Sequence, residues 1–108
     1  MLAQNNNYMT LFMSLLKSQI KYLRSLAHNI KPIVTIGQNG ITDNVIAELE
    51  GALNFHELVK IKLANDERND RKEMIRLLCE KTSAEVVQTI GKTATFFRRN
   101  NKNPKIAI

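Results

Sequence analysis

The sequence predicts a single α/β domain whose elements run helix, strand, helix, strand, helix, strand, strand. Three patterns carry that expectation. Leu16, Ile20, Leu23 and Ala27 recur at the helical period, and Val59, Ile61 and Leu63 alternate with Lys60 and Lys62 at the strand period. A β-branched run ends in Gly37-Gln38-Asn39-Gly40, which leads to a capped helix start. At 108 residues, 44% hydrophobic and 24% charged, the chain suits one domain and can bury a core without disulfides or metals.

Each element has its own signal. Residues 1–13 carry four amides (Gln4, Asn5, Asn6, Asn7) and no core pattern. They are expected to be a poorly ordered or dispensable extension, with Met13 an alternative start. Ser14–His28 reads as the first helix, with Leu15, Tyr22 and Leu26 widening its apolar side. Lys17, Lys21, Arg24 and His28 fall on the other side within an arc of about 60°. Lys31-Pro32 breaks that helix, and Pro32–Ile36 reads as a short buried strand. Thr42 is a good N-cap for a helix over Asp43–Leu53, with an Ile41–Ile46 staple and Val45, Ile46, Leu49 and Leu53 buried.

Glu57–Ala64 reads as a strand with one basic face, and Asn65–Asn69 as a polar turn. A third helix runs to about Lys81 on Met74, Ile75, Leu77 and Leu78. Glu85–Ile90 and Thr93–Arg99 form a hairpin about Gly91-Lys92, with glycine in the first central position. Asn100–Ile108 is a basic, Asn-rich tail that can add one more extended segment.

Charge is distributed unevenly. Residues 1–40 and 86–108 contain no acid and carry +4 and +5, while residues 41–85 hold all ten acids and carry −3, for a net +6 and a pI near 9.7. If the two basic ends meet in space, they make a one-signed field suited to phosphates. The apolar stretch Met9–Leu16 is far shorter than a spanning helix, and no signal-peptide pattern is found. One cysteine rules out an internal disulfide. A soluble, cytoplasmic protein is expected, monomeric and without a membrane partner.

The Gly37–Gly40 loop joins a strand to a helix N-terminus, where backbone amides and the helix dipole favour an anion. No Gly-Lys-Ser/Thr follows, so it is not a nucleotide P-loop. A Gly-x-x-Gly alone is also an ordinary tight turn. Between Lys31 and a basic strand, it looks like the backbone-clamping loop of KH-type RNA binders. Phe96 and Phe97 are adjacent in a strand and face opposite sides. One can be core, and the other is either also buried or free to stack on an unpaired base. Arg98 and Arg99 are natural phosphate contacts. Cys79 is expected to be an inert core thiol. Cys79, His28 and His56 make neither a nucleophilic pair nor a zinc set, so no enzyme, cofactor or metal is expected.

Several runs fit one family together. Leu26-Ala27-His28-Asn29-Ile30-Lys31-Pro32-Ile33-Val34 leads into Ile36-Gly37-Gln38-Asn39-Gly40-Ile41-Thr42. His56-Glu57-Leu58-Val59-Lys60-Ile61-Lys62 follows, then Val87-Gln88-Thr89-Ile90-Gly91-Lys92 and Phe97-Arg98. From Ser14 to Arg99 the chain resembles the CRM-domain family (chloroplast RNA splicing and ribosome maturation), in particular its bacterial single-domain, YhbY-like members. The resemblance implies a mixed four-stranded sheet flanked by helices, similar to the C-terminal domain of translation initiation factor three. It implies RNA binding through the glycine loop and nearby bases, and association with ribosomal RNA in precursors of the large ribosomal subunit.

By residue, the resemblance carries over to Lys31, Gly37, Gln38, Asn39, Gly40, Gly91, Lys92, Phe97 and Arg98, with Phe97 standing where many members have tyrosine. Lys17, Lys21, Arg24, Lys60, Lys62 and Arg99 complete the expected RNA surface. The expected function is therefore non-enzymatic RNA binding in ribosome assembly. The alternative from the same basic field is a DNA-binding or nucleoid-associated protein.

Overall fold

The computed structural model describes residues 15–108, so the extension expected over residues 1–13 lies outside the described residues. Three helices and four strands follow in the expected order: α1 (Lys17–Ala27), β1 (Val34–Ile36), α2 (Asp43–His56), β2 (Leu58–Leu63), α3 (Arg68–Thr82), β3 (Glu85–Ile90) and β4 (Thr93–Phe97). The sheet is mixed, with order β1-β2-β4-β3. β1 runs parallel to β2 with Val34 opposite Ile61, and the two other pairings are antiparallel. A parallel neighbour needs a crossover, and α2 supplies it.

Strand alternation divides the core between the two faces. On one face, Val34, Ile36, Val59, Ile61, Leu63, Ala94 and Phe96 meet Leu49 and Leu53 of α2 and Leu78 of α3. Ile41 and Ile46 both pack against this cluster, as a staple requires. On the other face, Leu58, Phe97 and Val87 meet Leu23 of α1, with Leu26, Ile30, Ile106 and Ile108 packed around them. Val87 reaches that face through an irregularity between Val86 and Gln88, a bulge that re-aims the side chain.

Helix ends follow local chemistry. Thr42 Oγ1 accepts from Val45 N at 3.2 Å, the expected N-cap. α1 starts later than Ser14. Leu16 is its N-cap, and with no capping side chain there, Gln19 Oε1 reaches back to accept from Leu16 N at 2.8 Å. Leu16 and Tyr22 are exposed, because the apolar stripe that α1 buries is narrower, centred on Leu23 and Ala27. α2 runs three residues beyond Leu53 and stops at Glu57, whose φ of +66° ends the helical path. Gly91, at φ +56°, takes the first central position of the β3–β4 turn.

The tail is not an extended segment. It folds back onto the α1 face, and Glu57 holds it there. Glu57 is fully buried, and its carboxylate accepts from Asn100 N (2.6 Å), Lys105 N (2.7 Å) and Ile106 N (2.8 Å). A buried carboxylate is costly unless it is saturated with donors, and here the donors are the tail's own backbone. Burial pushes its pKa up. The three N–H groups and the nearby Arg99 outweigh that and leave it below its ordinary value.

Candidate nucleic-acid interface

The two acid-free ends of the chain do meet. Leu23, Leu26 and Ile30 from the first share one apolar cluster with Val87, Phe97, Ile106 and Ile108 from the second. The α1 side of the sheet therefore gathers Lys17, Lys21 and Arg24, while Lys105 of the tail reaches Phe55 at the end of α2. On the opposite side, α2 carries Asp43, Glu48 and Glu50 and no lysine or arginine, and α3 mixes both signs.

The bases expected to contact RNA divide into two groups. Lys17, Lys21, Lys31 and Lys62 are exposed and make no hydrogen bond or ion pair among the described residues. The others are engaged within the fold. Arg24 Nε donates to Val87 O at 2.7 Å, on the bulged strand. Lys60 Nζ donates to Ala27 O at 2.6 Å, at the C-terminus of α1, where the helix dipole favours a cation. Arg98 donates to Thr82 O (2.8 Å), Glu50 Oε1 (2.7 Å) and Asn54 Oδ1 (2.8 Å), tying the end of β4 to α2 and α3. Arg99 donates to Ile106 O and Ile108 O at 2.5 and 3.2 Å and lies 3.8 Å from Glu57. Arg24, Lys60, Arg98 and Arg99 are thus structural clasps, each tying one part of the fold to another. Lys92 is exposed but bound to Asp66, and that hydrogen bond holds the Asp66 carboxyl below its ordinary range.

Phe97 needs a correction. It is only 5% exposed and Phe96 is 0% exposed, so both rings are core, one on each face. Neither can stack on a base without the fold opening. Tyr22 is one exposed ring, and the exposed phenylalanine among the described residues is Phe55, at 66%. Sequence periodicity hid it, because it sits in a helix extension beyond Leu53. Glu57 was also missed as a structural centre: it lies inside the His56-Glu57-Leu58 run, but its donors come from residues more than forty positions away.

The glycine loop stands at the C-terminal end of β1. Gly40 N donates to Gly37 O at 3.1 Å, closing a tight turn, and Gly40 has φ +72°. A Cβ added at Gly37 or Gly40 would meet nothing within 4 Å, so the loop backbone is open to a ligand. Beside it is a groove of about 320 Å³ lined by Gly37, Gln38, Gly40, Asn65, Asp66 and Met74. Ala64 N donates to Ile36 O and Leu63 N to Lys92 O, which brings the glycine loop, the β2–α3 turn and the β3–β4 turn to one end of the sheet. Gly37, Gln38, Asn39, Gly40, Gly91 and Lys92 therefore share that end. Lys62 lies on the adjoining sheet face, opposite Thr35 and Thr93.

Cys79 packs half-buried against the main core, and burial pushes its thiol pKa up, away from nucleophilic thiolate.

Known proteins are similar to this chain in sequence and in fold. The chain is 45% identical over 93 residues to a protein of Pseudomonas aeruginosa named a probable RNA-binding protein, covering 86% of this chain and 89% of that one. It is 31% identical over 90 residues to a Bacillus subtilis protein with the same naming, covering 83% and 94%. The solution structure of a hypothetical RNA-binding protein from Staphylococcus aureus superposes with a TM-score of 0.71 at 41% identity, covering 79% of this chain and 88% of that one. Residues 15–98, which hold every strand and helix described above, match the CRS1 / YhbY (CRM) domain, and the chain belongs to that family.

Proposed function

We propose that this protein binds RNA without catalysing a reaction, and that its cytoplasmic target is ribosomal RNA in precursors of the large ribosomal subunit, whose assembly it assists as a monomer. The observation that carries RNA binding is the open glycine-loop backbone near the exposed Lys62, on a chain whose acid-free ends share one side of the sheet. Relatives named as probable RNA-binding proteins support the same reading. The ribosomal target rests on the family resemblance. The raised pKa and packing of Cys79 support binding over nucleophilic catalysis.

Phosphates meet Lys17, Lys21, Lys31 and Lys62 by charge, and the loop amides take a backbone phosphate at the start of α2. Gly37 is the clean test of the loop. Its φ is ordinary and its surroundings are empty, so Gly37→Ala adds a methyl group in the path of the phosphate without straining the turn. Gly37→Ala and Gly40→Asp should lower RNA affinity, with Gly40→Asp the worse because it also adds negative charge. Wild-type affinity in a folded Gly40→Asp protein would remove the clamp. Co-sedimentation with large-subunit precursors, and crosslinking in cells followed by RNA sequencing, test the ribosomal target. Equal affinity for structured RNA and duplex DNA of the same length would favour the nucleoid alternative instead.

A further inference from the structure

We infer that a cleft at the opposite end of β1 from the glycine loop, with the neighbouring Phe55 ring, takes an unpaired nucleobase of single-stranded RNA. This rests on the RNA-binding reading above and goes beyond it by naming a base site. Ile30, Lys31, Ile33, His56, Leu58 and Lys60 line most of a cleft of about 250 Å³ between the α1–β1 linker and the end of α2. No acid lines it, and its walls are mainly apolar. Ile33 is half exposed there. Phe55 adjoins it through His56, the two rings meeting edge to face at 4.7 Å between centroids. Lys105 Nζ lies 5.5 Å from the Phe55 centroid, over the ring.

Each part suits a base flanked by phosphates. Single-stranded nucleic acid is held by aromatic faces for bases and by cations that track the backbone. Phe55 offers the most exposed aromatic ring of the described residues, and the apolar cleft beside it gives a base edge somewhere to go. Lys105 already marks the electron-rich face of the ring by a cation–π contact. A base stacked there takes the place of the ammonium, which then meets the flanking phosphate. Lys31 offers a second cation on the cleft wall. The spacing also fits: Ile33 and Gly37 are four residues apart in extended chain, about 13 Å, so one short strand can be clamped at the loop and read at the cleft. An A-form duplex keeps its bases stacked inside and has none to offer.

The test compares Phe55→Ala, Phe55→Trp and Lys31→Ala with wild type, each titrated against a short single-stranded RNA and a duplex RNA of matched length. Phe55 is exposed, so thermal melting should be unchanged in all three. Phe55→Ala should lose about tenfold for the single strand, within the range found when a stacking ring is removed, and less than twofold for the duplex. Phe55→Trp should keep single-strand affinity, and Lys31→Ala should weaken both RNAs. A 4-thiouridine-bearing single strand should crosslink to peptides containing Phe55 or His56. If wild type binds RNA but Phe55→Ala matches it on both probes, the base site is overturned and the RNA reading stands. If wild type binds neither RNA, both fall. Equal losses on both RNAs in Phe55→Ala would show a change in shape, not base stacking, and would also overturn it.

Discussion

The two faces of the sheet combine apolar and polar ties in different proportions. Under α2 and α3, eleven buried residues form one cluster around Phe96, and a polar clasp, Arg98 on Glu50, Asn54 and Thr82, closes its edge. Under α1 and the tail, four buried residues around Phe97 do the same work, and polar clasps supplement them. Those clasps are Arg24 on Val87 O, Lys60 on Ala27 O, Arg99 on Ile106 O and Ile108 O, and Glu57 on the tail backbone. The lesson is about reading charge. The basic face of this protein spends several of its cations on its own carbonyls, so a basic segment is not equivalent to an available one. Lys17, Lys21, Lys31 and Lys62 remain for a partner.

The largest effect should come from the apolar face. Phe96→Ala removes a fully buried ring from the larger cluster and should cost about 3–5 kcal/mol, enough to threaten folding. Phe97→Ala should cost less, about 2–3 kcal/mol, because the tail can settle into the space it leaves. Urea unfolding of the two variants checks the order. A larger loss for Phe97 would mean that the α1 face carries the fold.

Glu57 comes next. Glu57→Gln keeps the shape but replaces one accepting oxygen with an NH2 donor, so that Asn100 N loses its acceptor while Lys105 N and Ile106 N keep a weaker, neutral one, and should cost about 2 kcal/mol. The tail should then become more sensitive to protease, while hydrogen exchange in β2 and α3 changes little. The pH dependence has a definite sign. The folded pKa of Glu57 is lowered, so its stabilisation is complete above the ordinary value of 4.5 and is lost as pH falls through the lower folded pKa. Acid melts of wild type should lose this contribution, and Glu57→Gln should not. A tail equally protected in both proteins would assign the anchoring to Ile106 and Ile108 alone.

Most of the fold was legible because period and punctuation agreed. Thr42, Gly91, the Val59–Leu63 alternation and the glycine loop each mark a local event, and local events are written locally. What the sequence did not disclose depends on partners distant along the chain. Nothing near Phe97 says that Leu23 covers it, and nothing near Arg98 says that Glu50, Asn54 and Thr82 surround it. Glu57 stands at a helix end with φ +66°, where a glycine would be easier, and its reason is a tail more than forty residues away. The site was legible as a loop and a field of charge. Which charges were free, and which ring was exposed, needed the packing.

The smallest effects should separate the two kinds of cation. Arg24 and Lys21 lie three residues apart on α1, one bound to Val87 O and one exposed with no partner among the described residues. Arg24→Ala breaks a hydrogen bond from a charged donor to a strand carbonyl and should lower stability by about 1–2 kcal/mol. Lys21→Ala should leave stability within about 0.5 kcal/mol, as surface substitutions do. RNA binding should respond the other way. If Lys17, Lys21, Lys31 and Lys62 each neutralise one phosphate, log K against log salt should have a slope of about −3 to −4. Lys21→Ala should make that slope shallower by about 0.7–0.9, and Arg24→Ala should barely change it. Melting curves and salt titrations on the same two proteins measure both. An unchanged slope in Lys21→Ala would mean that α1 stands outside the RNA footprint, leaving the loop end of the sheet to bind alone. An equal change in Arg24→Ala would mean that its clasp on Val87 opens when RNA arrives.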